Sequence, residues 1–196
     1  MYNEVESKFS KTVKLTKFLT YVFLFLSLLV AIYFIITLSI SSEQFTISQS
    51  ESTYLLSFNK SFSINIIVGN FTNVHSVARI KTIYSFIVLV ALTIAVSITL
   101  ILFNILKIFN HSSSQQTPFN LSVIKHLETI KWLLVAIALL PNVMGCIIRY
   151  VLNKQSIVLF DNAGFLIPLF VALILNVMKY IFLYGIELQN EYDSLL

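Results

Sequence analysis

The three histidines are the residues of this chain best suited to metal or proton chemistry, and they stand at positions 75, 111 and 126. These intervals do not match the short ligand spacings of zinc sites, and no His-Glu-x-x-His motif is present. The glycine-based nucleophile, P-loop and dinucleotide motifs are absent from the sequence as well. Cys146, the single cysteine, stands in an apolar run, where a thiol normally packs as a small hydrophobe. We therefore predict no catalytic, metal-binding or cofactor-binding residue and no enzyme activity.

One proline and two asparagines interrupt long apolar segments. Pro141 cannot donate a hydrogen bond to the carbonyl of Ile137, so we predict a kink next to Asn142. Asn142 and Asn176 fall in the middle half of two apolar segments and could join them by a hydrogen bond. Pro141, Asn142 and Asn176 then either pack helices together or line a path for a solute through a membrane. Two asparagines without a neighbouring acid do not fit a proton relay or a cation pump.

Three charged residues stand near the ends of apolar segments. Arg149 lies near the end of one segment and Asp161 precedes the next. We predict an outer ion pair between these two residues, and Asp161 can also cap the helix that follows it. Lys179 lies within about two turns of the end of its segment, from which its ammonium group can reach the headgroups.

Helices in a membrane must position these residues, because the composition does not suit water. The 196 residues are 57% hydrophobic and 11% charged, whereas soluble domains carry about a quarter charged residues. A helix needs about 20 mostly apolar residues to cross the hydrocarbon core. Within a single membrane domain, residues 1–196, four segments meet this requirement: 18–40, 83–106, 132–152 and 163–185. The first has a longer apolar run than a signal peptide and no cleavage site, so we predict an uncleaved span.

The distribution of lysine and arginine predicts the orientation, since positive charge is retained on the cytoplasmic side. Eight of these residues fall on one side of the four spans and five on the other. We therefore place both termini, the loop 107–131 and the acidic tail 186–196 in the cytoplasm, and the loop 41–81 outside. Arg79 and Lys81 oppose this assignment at the outer end of the second span. The net charge of +4 is spread along the chain, which indicates membrane orientation rather than direct binding of nucleic acid.

The outer loop contains a segment with the alternation of a half-buried strand. In SFSINIIVG, Phe62, Ile64 and Ile66 alternate with polar residues. EQFTIS, with Phe45 and Ile47, is the predicted partner strand, so that the two form a small β-like hairpin or sheet. This external β-like loop either caps a site for a ligand or partner or simply connects the first two spans.

The cytoplasmic loop has the pattern of an amphipathic helix that lies at the headgroup level and then turns into the third span. Thr117 is suited to cap this helix, and Pro118 is suited to its first turn. The apolar stripe consists of Leu121, Ile124 and Leu127 and can extend to Leu134. The other faces carry Lys125, Glu128 and Lys131.

The tail carries Glu187 and Glu191, which are four residues apart and repel each other on a helix. Their negative charge is also disfavoured near a helix C-terminus. Basic side chains should compensate them, and the candidates on the same side are Lys125, His126, Lys131 and the N-terminal lysines. The tail therefore either docks on the segment before the third span, from which a partner can displace it, or stays solvated.

Two pieces of the chain are distinctive: PFNLSVIKHLETI, with its Pro-Phe start and basic-basic-Leu step, and the tail FLYGIELQNEYDSLL. Both resemble segments of a bacterial family of four-span membrane proteins catalogued as domain of unknown function 2975 (DUF2975). The matching positions considered for partner docking are Pro118, Phe119, Lys125, His126, Leu127, Gly185, Glu187, Leu188 and Glu191. Family members are often encoded beside a small helix-turn-helix regulator, so the resemblance implies a cytoplasmic partner of that kind.

The sequence thus predicts an all-α integral protein of the bacterial cytoplasmic membrane. It has four transmembrane helices, an external β-like loop and a cytoplasmic amphipathic helix before the third span. It is embedded in the lipid bilayer, and its predicted function is a non-enzymatic sensory, regulatory or protective module that acts through partners, with association into a homo-oligomer left open. The alternative is a small transporter or channel subunit with Pro141, Asn142 and Asn176 as its mid-membrane polar site.

Overall fold

The computed structural model describes residues 2–50, 53–58, 62–66, 77–114, 120–153, 164 and 166–195. Within this part of the chain the long helices are α1 (Tyr2–Ser39), α2 (Val77–Ser114), α3 (Leu121–Asn153) and α4 (Leu166–Leu195). Each helix is built on an apolar run. A helix suits such a run in lipid, because it pairs the backbone N–H and C=O groups within its own segment, except in the turns at its two ends.

All four helices are long and apolar enough to cross a membrane, so the prediction of four spans is confirmed. The candidate spans are Phe9–Ser39, Tyr84–His111, Leu121–Ile147 and Leu166–Leu195. The helices extend beyond the predicted spans because flanking residues such as lysine, glutamate and glutamine are good helix formers. These helices indicate a multi-pass membrane protein.

The chain divides into two compact units. The first consists of Met1–Ser27, Ile94–Leu139 and Asn162–Leu196, and the second of Leu28–Thr93 and Leu140–Asp161. Both units contain polar side-chain contacts that join one helix to another. The prediction of a single membrane domain stays a prediction.

In the second unit, the side chains of Tyr84 and Lys81 join α2 to the α1 segment by hydrogen bonds. The Tyr84 side chain is only 1% exposed, and its hydroxyl group hydrogen-bonds that of Tyr33. Lys81 donates to the carbonyls of Leu38, at 2.9 Å, and Ile40. The last carbonyls of a helix have no partner within the helix, so Lys81 stabilises the end of α1. Lys81, a positive charge on the predicted outer side, therefore has a structural role there.

A three-stranded antiparallel sheet stands between α1 and α2 in the sequence. Its strands are β1 (Phe45–Ser50), β2 (Thr53–Phe58) and β3 (Phe62–Ile66), paired in that order. β1 and β3 overlap the two segments with predicted strand character, but the expected direct pairing between them is wrong. β2 lies between them, because consecutive strands joined by short links pair with each other. The segment TYLLSF lacks the alternation that would have predicted β2.

The separate amphipathic helix predicted before the third span does not occur, since α3 is continuous over the described residues from Leu121 to Asn153. Ile124 and Leu127 of the predicted stripe are buried, but Leu121 is 60% exposed. At about 100° per residue, Leu121 lies about 120° from Leu127 around the helix, so the two face different surroundings. The beginning of α3 therefore packs inside the protein along the side that carries Ile124 and Leu127.

The helix α3 begins three residues after Pro118, the predicted first-turn residue. The side-chain oxygen of Asn120 accepts a hydrogen bond from the Ser122 amide at 2.9 Å, which makes Asn120 the N-cap. Asparagine is among the strongest residues in this role. Thr117 and Pro118 lie outside the described residues.

Candidate functional site

A polar cluster forms around Glu128 in the first unit. The Glu128 carboxylate lies 3.2 Å from the ammonium group of Lys179 on α4 and 3.8 Å from that of Lys131 on its own helix. The Lys131 ammonium group also donates to the amide oxygen of Asn176 on α4 at 3.3 Å. These four residues, which we call the Glu128 cluster, join α3 to α4 by side-chain contacts.

Solvent reaches the Glu128 cluster only in part. The side chains of Lys131 and Lys179 are 17% and 24% exposed, and that of Glu128 is 43% exposed. One carboxylate faces two ammonium groups, so the cluster carries a net positive charge. Partly buried charges are weakly screened, and the carboxylate therefore offsets the repulsion between the two lysines.

A second polar contact joins the opposite side of α3 to α2. Nδ1 of His126 lies 2.8 Å from the amide oxygen of Asn104, a residue that is 9% exposed. The Asn104 amide nitrogen donates to the Leu100 carbonyl at 2.8 Å, so its oxygen accepts and Nδ1 carries the proton. The His111 ring meets the His126 ring edge-on, with 6.1 Å between centroids. No three His, Cys, Asp or Glu side chains meet in a possible metal site within the described residues.

Asn104→Leu is expected to remove the acceptor of His126 and to shift the imidazole toward the tautomer protonated at Nε2. Because one net hydrogen bond is lost, we expect the free energy of unfolding to fall by about 1 kcal/mol. The ring nitrogen chemical shifts of labelled His126 report the tautomer. Ser97→Ala, at another buried polar position of α2, is the control and should leave those shifts in place. Unchanged shifts in the Asn104 variant would contradict the contact.

The end of α4 keeps the helical form of the span. The helix continues through Gly185 to Leu195, and the side chains of Glu187, Leu188 and Glu191 are exposed. The predicted polar tail is thus a regular extension of the fourth helix.

The structure gives Lys131 a different partner from the predicted one. No ion pair joins Glu187 or Glu191 to Lys125 or Lys131 in the described part of the chain, and Lys131 contacts Glu128 instead. Lys125 is exposed. The docking of the tail on α3 stays a prediction.

The other predicted site residues are separated. Pro141 is exposed inside α3, and Asn142 is half-buried in the second unit. Asn176 belongs to the Glu128 cluster, so its bond to Asn142 stays a prediction. Three predicted site residues, Pro118, Phe119 and Asp161, lie outside the described residues, as does the side chain of Arg149.

Comparison with models of known protein families, with curated proteins and with solved structures finds no match to this chain. The resemblance to DUF2975 therefore stays a prediction, and it rests on the segment 118–130 and the tail 182–196. The function has to be inferred from the geometry of the residues.

Sequence reasoning missed the Glu128 cluster, although a signal for it exists. Glu128 and Lys131 are three residues apart on α3, and Asn176 and Lys179 are three residues apart on α4. Residues at this spacing share a helix face, so two helices with such pairs can meet along them. Lys179 contacts Glu128, and its expected reach to the headgroups stays a prediction. Asn104, inside the predicted second span, was a comparable signal for the contact with α3.

Proposed function

We propose that this chain is a non-enzymatic module of the bacterial cytoplasmic membrane, with a sensory, regulatory or protective role, that binds a protein partner on the cytoplasmic side. The observation that carries the proposal is the length of α4. At about 1.5 Å per residue its 30 residues measure about 45 Å, whereas the hydrocarbon core is about 30 Å thick. About ten residues are therefore available to project from the membrane as a helix.

These residues, 186–195, form what we call the C-terminal extension, and they are amphipathic. Leu188, Tyr192 and Leu195 recur at helical spacing and are 48%, 64% and 85% exposed. Glu187 and Glu191, also exposed, lie beside this stripe. An exposed apolar stripe with charge beside it is typical of a helix that docks in a groove of another protein. The partner that fits has an apolar groove with a basic rim.

Some of the docking residues that the family resemblance suggested are not accessible to a partner, because parts of α3 are buried. Leu127 is buried, and His126 is engaged with Asn104, so neither presents its side chain to a partner. Lys125 is exposed, like the acidic residues of the C-terminal extension. A basic rim would repel Lys125, so we assign partner contact to Glu187, Leu188 and Glu191.

Two further arguments support the cytoplasmic setting. The larger number of lysine and arginine residues falls on the side of the two termini, as the positive-inside tendency requires. By analogy with DUF2975, the partner is a small helix-turn-helix regulator. The chain itself then has no need to bind nucleic acid.

Glu187→Lys combined with Glu191→Lys is expected to reduce partner capture at least about tenfold, because a basic rim would then face like charges. A photo-crosslinking residue at the exposed Tyr192 captures the partner in native membranes, and quantitative mass spectrometry measures the yield. Glu4→Lys combined with Glu6→Lys is the matched control, since it makes the same charge change on the same predicted side. Equal capture by wild type and the tail variant would remove the proposed docking surface.

A small transporter or channel subunit is the second candidate, and one observation favours it. Lys131, Asn176 and Lys179 place polar groups inside the candidate spans of α3 and α4. Ionisable groups in membranes often mark the path of a solute. Two results together would favour this function. Proteoliposomes that contain the protein would take up a solute, and Asn176→Leu would abolish that uptake. The Glu187/Glu191 variant would capture a partner as well as wild type does.

A further inference from the structure

A groove of about 670 Å³ lies between α1 and α2 in the first unit. The lining residues that bear on its chemistry are Lys17, Tyr21 and Leu24 on α1 and Leu100, Phe103 and Lys107 on α2. Both lysines are exposed. The groove therefore combines two positive charges with apolar and aromatic walls.

Helix geometry brings the two ammonium groups to a similar depth. The rings of Phe9 and Phe109 contact edge-on at 5.5 Å, which pairs the start of α1 with the end of α2. The Lys107 ammonium group lies 4.8 Å from the ring centroid of Phe103, about 9 Å along α2 from Phe109. Lys17 is about 12 Å along α1 from Phe9, and both side chains lean toward the N-terminus of the helix, so their ends keep about the same separation. Both ammonium groups thus lie roughly 9–12 Å from the Phe9–Phe109 contact.

The part of the groove beyond the two lysines, toward Leu24 and Leu100, is apolar in character. The hydroxyl groups of Thr20 and Thr99 each donate to a carbonyl one turn earlier in their own helices, at 2.8 and 2.9 Å. Leu24 and Leu100 line the part farther from the Phe9–Phe109 contact. The groove is charged toward one end and apolar toward the other, which is the polarity of a lipid molecule.

Neither Lys17 nor Lys107 forms an ion pair with a carboxylate within the described residues. Two ammonium groups at one depth repel each other unless an anion lies between them. We propose that the groove binds an anionic phospholipid, with its phosphate between the two lysines and an acyl chain along Leu24 and Leu100. Basic pockets between transmembrane helices bind anionic headgroups in this way. A free phosphate ion would occupy only the charged end, so the apolar part favours the lipid.

Native mass spectrometry of the full chain, released from nanodiscs of equal parts phosphatidylglycerol and phosphatidylcholine, tests the proposal. Wild type is expected to retain phosphatidylglycerol in preference. Lys17→Gln combined with Lys107→Gln should reduce that preference roughly ten- to thirty-fold, because two lysines near the headgroup are lost. Lys11→Gln combined with Lys14→Gln removes the same charge from exposed positions of α1 that do not line the groove, and it should keep the preference.

Leu24→Trp tests the apolar part while both lysines remain. The larger side chain narrows the groove, so retention of phosphatidylglycerol should fall, whereas inorganic phosphate added to wild type should not displace the lipid. Thermal unfolding shows which variants fold. If the Lys17/Lys107 variant does not fold, Leu24→Trp alone tests the proposal. Any one of three results overturns the proposal: the folded Lys17/Lys107 variant retains as much phosphatidylglycerol as wild type, the Lys11/Lys14 control loses as much of the preference as the Lys17/Lys107 variant, or inorganic phosphate displaces the lipid.

Discussion

Leu127→Ala is expected to lower the free energy of unfolding by about 2 kcal/mol, with a rough range of 1–3. The Leu127 side chain is 6% exposed, so truncation leaves a cavity inside the first unit. Cavities cost about 2–5 kcal/mol for Leu→Ala in soluble cores. In a membrane the transfer part of that cost shrinks, because the unfolded helices already face apolar lipid, but the lost packing remains.

Leu121→Ala is the matched control, because Leu121 is 60% exposed on the same helix. We expect a change within about 0.5 kcal/mol. Unfolding in mixed micelles, followed by the fluorescence of Trp132, the single tryptophan, measures both variants. If the first turns of α3 lay flat at the headgroups, the two leucines would face lipid alike and both variants would change equally. Equal values would therefore contradict the packing of α3.

Glu128→Gln is expected to cost about 1–2 kcal/mol of stability, which lies between the values for exposed and buried ion pairs. We expect this intermediate cost because the side chains of Glu128, Lys131 and Lys179 are neither fully exposed nor fully buried. Without the carboxylate, the ammonium groups of Lys131 and Lys179 repel each other in a weakly screened setting. The same unfolding measurement detects this loss.

Glu187→Gln removes an equal charge from an exposed position of α4 and should change stability by less than about 0.5 kcal/mol. The double variant Glu128→Gln with Lys179→Gln removes the repulsion together with the pair. Its cost should thus be smaller than the sum of the two single changes, and the difference is the coupling between the two residues. Additive single costs would show that the contact between Glu128 and Lys179 contributes nothing to the bundle.

The four spans could be predicted because the requirement for crossing a bilayer concerns only one short segment of sequence at a time. A segment crosses it only if about 20 consecutive residues are apolar, and that property can be read without knowing any other part of the chain. The ends of the helices were less predictable. The residue that caps α3 is Asn120, although Thr117 and Pro118 form an equally good local pattern.

The sheet between α1 and α2 shows the same limit. Alternation marked the segments that became β1 and β3, but it could not say which strand pairs with which. The pairing was decided by β2, whose residues Tyr54, Leu55 and Leu56 carry no alternating pattern. Which strands pair depends on which of them lie side by side, and the short connections between consecutive strands determine that arrangement.

The sequence by itself determined the class of this protein, the number of its spans and its charge distribution, because each follows from composition or from a short window. The tertiary structure alone decided which charges meet. Glu128 and Lys179 are 51 residues apart and belong to different helices. Their contact depends on which faces of α3 and α4 pack together, and a periodic apolar pattern leaves several such faces open. For the same reason Leu121, which shares the apolar character of Leu127, remained exposed.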